Sequence, residues 1–129
     1  MLKTLAIGAL FLTGLAPALP AAAQGTPKAS VPRQCFALRD IRGFAAQDDY
    51  TINLNINRRE VVQLKTIINC PDVGLRGDLT YRTSSDVVCD ALDLTLVTRT
   101  TRGLRECRVK SIRKLTAGEA AALPKRARP

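Results

Sequence analysis

The chain contains no histidine and no tryptophan. Without an imidazole there is no Ser-His-Asp triad, no Cys-His dyad and no histidine metal ligand. The aromatics are Phe11, Phe36, Phe44, Tyr50 and Tyr81. They are too few and too dispersed to form a stacking platform for single-stranded nucleic acid. No Gly-x-Gly-x-x-Gly or phosphate-loop spacing occurs, so the common nucleotide cradles are excluded. Acid is scarce as well: 11 Asp and Glu stand against 20 Lys and Arg, a net charge of +9. Asp48-Asp49 is the only adjacent acidic pair. Neighbours in extended chain point to opposite faces, so the pair suits a turn better than a shared acid–base site.

The four cysteines are Cys35, Cys70, Cys89 and Cys107, and no two have Cys-x-x-Cys spacing. That pattern argues against a metal site, and it implies no cofactor. An even count in a small exported domain points to two disulfides. Export is suggested by the first residues. Lys3 precedes an apolar run from Leu5 to Leu15, then come Pro17, Pro20 and Ala21-Ala22-Ala23. This has the form of a secretory signal peptide over residues 1–23, cut before Gln24. A span needs about 20 apolar residues, and the prolines come too early for that. The mature chain is therefore expected to have no transmembrane span. Removing Lys3 leaves 19 basic against 11 acidic residues, or +8.

Residues 24–34, with Pro27 and Pro32, form a flexible lead-in, and residues 124–129 a basic tail with no apolar anchor. Between them lies a domain over residues 35–123. Its centre is Asp48 to Cys70. Tyr50, Ile52, Leu54 and Ile56 alternate with Thr51, Asn53, Asn55 and Asn57, which predicts a strand with one buried and one wet face. After Asn57-Arg58-Arg59-Glu60 the alternation resumes through Val62, Leu64, Thr66 and Ile68, completing a hairpin.

Gln34 to Phe44 is the expected first strand, with a parity switch at Ile41 that signals a bulge or bend. Asp48-Asp49 marks the tip before the hairpin, and Pro71 ends it. Further strands are predicted at Asp78–Thr83, with Leu79 and Tyr81 inward, and over Leu92, Leu94 and Leu96. The last runs from Leu104 to Leu115, with Cys107 and Val109 inward and Arg108 and Lys110 outward. Thr116-Ala117-Gly118-Glu119 has the capping-box form. Good helix formers follow until Pro124, so a short carboxy-terminal helix is expected. The pattern predicts an all-β domain: a small antiparallel barrel or rolled sheet of five to six strands plus that helix. The connection from Pro71 to Gly77 sits where an oligonucleotide/oligosaccharide-binding barrel carries its helix.

Four cysteines allow three pairings. Rolled sheets often place first and last strands side by side, so the expected bonds are Cys35–Cys107 and Cys70–Cys89.

Taken in order, Cys35-Phe36, Asp40-Ile41-Arg42-Gly43-Phe44, Asp48-Asp49, Cys70-Pro71-Asp72, Val88-Cys89 and Cys107-Arg108-Val109 resemble a family of small exported proteobacterial proteins known only as a domain of unknown function. The resemblance covers Cys35 to Leu123. It implies a cysteine-framed exported domain, periplasmic or secreted, and it carries over no catalytic residues.

Two functional readings follow. The basic run Arg99, Arg102, Arg105, Arg108, Lys110, Arg113 and Lys114 is interrupted by a single acid, Glu106. Such a field favours anions. The first reading is a non-enzymatic envelope domain that binds an anionic envelope component or another envelope protein through this face or a strand edge. Nucleic acid does not fit the compartment. Arg39, Arg42, Arg58 and Arg59 can gather at one end with the carboxy-terminal arginines, where their forks suit phosphate or carboxylate. The second is an enzyme of unrecognised type built on Asp48, Asp49 or Asp93 with nearby arginines.

Overall fold

The computed structural model describes residues 34–73 and 78–129, together with Gly14. Apart from Gly14, the expected signal peptide, the expected lead-in before Gln34, and residues 74–77 after Val73 lie outside the described residues.

Among these residues the strands are β1 (Phe36–Ala37), β2 (Ile41–Asp48), β3 (Thr51–Ile56), β4 (Glu60–Thr66), β5 (Leu79–Arg82), β6 (Val87–Val88), β7 (Thr95–Thr100) and β8 (Gly103–Lys114), with one α-helix, α1 (Ala117–Ala122). Six strands form one antiparallel sheet in the order β2-β3-β4-β8-β7-β5, curved into a half-barrel. β1 and β6 form a separate two-stranded ribbon. The expected all-β class and carboxy-terminal helix are both present. So is the expected rolled antiparallel sheet of five to six strands; what differs is the topology of an oligonucleotide/oligosaccharide-binding barrel. The order ends on β2 and β5, every pairing is antiparallel, and no strand closes the roll among the described residues.

Alternation puts Ile52, Leu54 and Ile56 of β3 beside Val62 and Leu64 of β4. Leu94, Leu96, Cys107 and Val109 continue this inner face across β7 and β8. The ribbon adds Phe36 and Val88 to the same core. Each large aliphatic chain buried here contributes about 1.5–3 kcal/mol relative to an exposed one. The β3–β4 turn is tight, and both Asn57 (φ 52°) and Arg58 (φ 61°) adopt left-handed backbone there. Asparagine tolerates that conformation better than most residues.

Several expectations need correction. The expected first strand is two strands in two sheets. A 3-10 turn at Leu38–Asp40 carries the chain from the ribbon into β2, and that turn is what the parity switch at Ile41 reflects. The Leu92 half of the expected fifth strand is also a 3-10 turn, Ala91–Asp93, so Leu92 is exposed. Its cap is Asp90, whose Oδ1 accepts from the Leu92 amide at 3.0 Å. Tyr50 and Ile68, the ends of the alternating runs, are exposed because the strands stop at Thr51 and Thr66.

The expected disulfide pairing is wrong. The bonds are Cys35–Cys89 and Cys70–Cys107. β1 pairs with β6 rather than with the last strand: Phe36 faces Val88, so one step outward Cys35 faces Cys89, with Cα atoms 4.2 Å apart. That spacing is close to a non-hydrogen-bonded antiparallel pair. After Thr66 the chain stays against β8, where the Ile67 amide donates to the Arg108 carbonyl at 2.9 Å. Cys70 is thereby delivered to Cys107, Cα to Cα 5.9 Å.

The predicted wet face of β3 is buried. Asn53 is fully enclosed, Thr51 is buried, and the cover is the carboxy-terminal segment. A 3-10 turn at Lys125–Ala127 buries Ala127, which with Leu115 and Leu123 forms a second apolar cluster against Val61 and Ala120. The residues expected to be an unanchored tail are thus part of the fold. Arg128 ties them down by donating from Nε to Leu123 O at 2.9 Å and from Nη2 to Ala121 O at 2.8 Å. These acceptors are carbonyls in and just after the last turn of α1, which otherwise lack helical partners.

Candidate functional site

The outer face of the sheet has two unlike halves. Over β2, β3 and β4 it carries amides sealed by the carboxy-terminal segment. Asn53 Nδ2 donates to Ala127 O at 2.9 Å, and Gln63 Nε2 donates to Asn53 Oδ1 at 3.2 Å. Gln47 Oε1 accepts from both residues, at 3.4 and 3.3 Å. A buried amide keeps its place only if it is bonded, so this network fixes where the cover docks.

Over β8, β7 and β5 the outer face is open. Thr80, Arg82, Arg99, Leu104, Glu106 and Arg108 are all exposed. Register sets Arg82, Thr95 and Arg108 in one row across three strands. Next to that row β8 bulges. Lys65 pairs with Ser111 and Thr66 with Val109, so Lys110 is the extra residue. Arg108 and Lys110 point outward, as alternation predicted, while Cys107 and Val109 are buried.

The seven predicted anion-binding residues do not act as one set. Arg113 Nη1 bonds Glu119 Oε1 at 2.7 Å, and Lys114 Nζ bonds Glu60 Oε1 at 2.5 Å. Arg99 sits 3.7 Å from Asp78. Arg105 is a clamp: its Nη2 donates to Asn69 O at 3.1 Å and to Asn69 Oδ1 at 3.0 Å, pinning the loop before Cys70. Arg102, Arg108 and Lys110 make no ion pair among the described residues. Glu106, the lone acid within the run, pairs with Arg82 from β5. Folding therefore brings Asp78, Glu60 and Glu119 to cations that face only Glu106 along the chain. Each of these exposed pairs contributes about 0–1 kcal/mol. Arg82 and Lys65 join the open face although the linear run omits them. Their outward parity in short alternating segments is the signal that finds them.

The acids have local duties. Asp48 Oδ1 accepts from the Tyr50 amide at 2.8 Å and closes the β2–β3 turn, as its place at the tip suggested. Asp48, Asp49 and Asp72 line an open cleft of about 960 Å³ together with Phe44, Arg126 and Arg128. Asp93 lies elsewhere, in the 3-10 turn before β7, so the three aspartates proposed for catalysis do not converge. Among the described residues no group of three or more acids or cysteines is placed to hold a metal ion. Burial pushes the Tyr81 phenol up to about 12. The Thr116 backbone amide, followed by the Arg113 guanidinium, holds the Glu119 carboxyl below its ordinary value.

The class these features define is a small antiparallel β domain framed by two disulfides, with one sheet face half sealed and half open. Over residues 1–129 the chain matches the model described as "Family of unknown function (DUF6491)", and it belongs to that family. No curated protein and no solved structure matches it.

Proposed function

We propose that this is a non-enzymatic, exported envelope domain that binds an anionic envelope component through the open half of its sheet. The observation that carries the reading is the asymmetry of the outer face. The carboxy-terminal segment covers β2–β4, while Arg82, Arg99, Arg108, Lys110 and Lys65 stand exposed on the uncovered strands and the strand beside them. Arginine forks on a rigid sheet suit phosphate or carboxylate oxygens. Two disulfides fit an oxidising compartment, and the apolar leader supports export to the periplasm or beyond. Among the described residues no helix is long and apolar enough to cross a membrane. The aspartate-based enzyme has less support, because Asp48 closes a turn and Asp93 is remote from the cleft.

Co-sedimentation with vesicles tests the reading. Vesicles containing phosphatidylglycerol should retain the protein at low salt, and vesicles of phosphatidylcholine should not. Retention should fall steeply as ionic strength rises, because exposed charges are screened over a Debye length of about 10 Å at 0.1 M. The double variant Arg108→Glu/Lys110→Glu should lose retention, and Arg58→Glu/Arg59→Glu should keep it. Equal retention on both lipids, or none at low salt, contradicts the proposal.

A further inference from the structure

The large apolar side chains left exposed among the described residues sort by the charge beside them. Tyr50 follows Asp48-Asp49, Val87 follows Asp86, and Leu92 lies between Asp90 and Asp93. Leu104, the most exposed of them at 71%, follows Arg102-Gly103 and pairs across strands with Arg99. The Ile67 amide donates to the Arg108 carbonyl at 2.9 Å, and its side chain is also exposed. It comes one step past the buried Thr66–Val109 pair, which puts it on the outer face beside Arg108. Ile68, the next residue, has an uncharged neighbour on either side in the sequence.

The β7–β8 turn holds Leu104 out. Thr100 Oγ1 donates to Gly103 O at 3.0 Å and accepts from the Arg102 amide at 3.2 Å. Gly103 has φ 116°, a backbone conformation that a side chain would strain. Arg105, on the opposite face of β8, pins Asn69 and with it the segment that carries Ile67. Both apolar side chains therefore stand on fixed backbone. Around them Arg102, Arg108 and Lys110 make no ion pair among the described residues, and the one acid on this part of β8, Glu106, is paired with Arg82.

A soluble polyanion would satisfy these cations and gain nothing from a leucine and an isoleucine beside them. An anionic bilayer satisfies both, because its phosphates lie directly over hydrocarbon. We infer that the anionic component is the bilayer itself, docked with Leu104 and Ile67 pushed past the headgroups. Arg99, Arg102, Arg108 and Lys110 stay at the phosphates, their stems lying along the apolar contact. The inference rests on the anionic reading above and adds the apolar contact to it. Leu92, between its two acids, stays in water.

The chain lacks tryptophan, so one introduced indole reports only its own surroundings. The variants are made in the protein as isolated from cells, with both disulfides intact. On vesicles of equal parts phosphatidylglycerol and phosphatidylcholine, Leu104→Trp should shift its emission to the blue, and lipids brominated on the acyl chain should quench it. Leu92→Trp should show neither change. In co-sedimentation, Leu104→Ser should lower partition onto these vesicles by about tenfold or more. Its salt slope should stay unchanged, because the lost contact is apolar rather than ionic. Ile67→Ser should act in the same direction. Retained circular dichroism certifies folding of each variant. Vesicle binding with an unshifted indole, or with full affinity in Leu104→Ser, overturns the inference and leaves the anionic reading standing. Binding of inorganic polyphosphate without binding of vesicles does the same. Binding of neither overturns both.

Discussion

Cys35 is exposed and Cys89 half-buried, whereas Cys70 and Cys107 are sealed in the core. Thiol–disulfide exchange needs access to a sulfur. Titration with a mild reductant, followed by alkylation and peptide mapping, should open Cys35–Cys89 well before Cys70–Cys107. The reverse order would contradict the burial described. Asn53 is the other decisive single residue. Asn53→Ala removes its bonds to Ala127 and Gln63 and leaves buried partners unmatched, so it should cost about 1–3 kcal/mol in urea unfolding. A neutral result would mean the cover docks without it. Neither role is visible locally. Asn53 has the alternation of a wet residue, and the group that buries it comes 74 positions later. The disulfide pairing is not legible in the sequence for a related reason. It depends on a ribbon of two-residue strands whose contact spans 52 positions, Phe36 to Val88, and strands that short leave no periodic signal.

Elements whose cause is local were the legible ones. The capping box at Thr116 forms as the sequence predicts: Glu119 N donates to Thr116 Oγ1 at 3.2 Å, and Thr116 N donates to Glu119 Oε2 at 2.8 Å. The β3–β4 hairpin and the facing of β8 were legible from alternation. The split of the first strand was half legible, since the parity switch at Ile41 was there but a turn between two sheets and a bulge leave the same trace. At this scale the cap carries a pH dependence. The Glu119 carboxyl lies below its ordinary value of 4.5 when folded, so its contribution is complete above that value and is lost as pH falls through the lower folded value. Thr116→Ala should cost about 0.5–2 kcal/mol at neutral pH. Glu119→Gln should flatten the acid limb of the stability curve below pH 4.5. An unchanged acid limb would show that other carboxylates set it.

Across the whole molecule, a charge of +9 is divided by folding. Arg113, Lys114 and Arg105 hold α1, β4 and the loop before Cys70, so three of the seven cations of the basic run serve the fold. The remainder is displayed beside Arg82 on the uncovered strands β5, β7 and β8, with Lys65 exposed on the neighbouring β4. Composition made a basic surface legible, but not which cations stay free, because their acidic partners come from distant strands. The most direct measurement is residue-resolved. Amide chemical shifts should be followed by nuclear magnetic resonance while nanodiscs containing phosphatidylglycerol are added. The account predicts perturbations along Arg82, Thr95, Arg99, Arg108 and Lys110 that vanish at high salt. Perturbations centred on Arg58–Arg59 or on the cleft at Asp48, Asp49 and Arg126, or none at low salt, would contradict it.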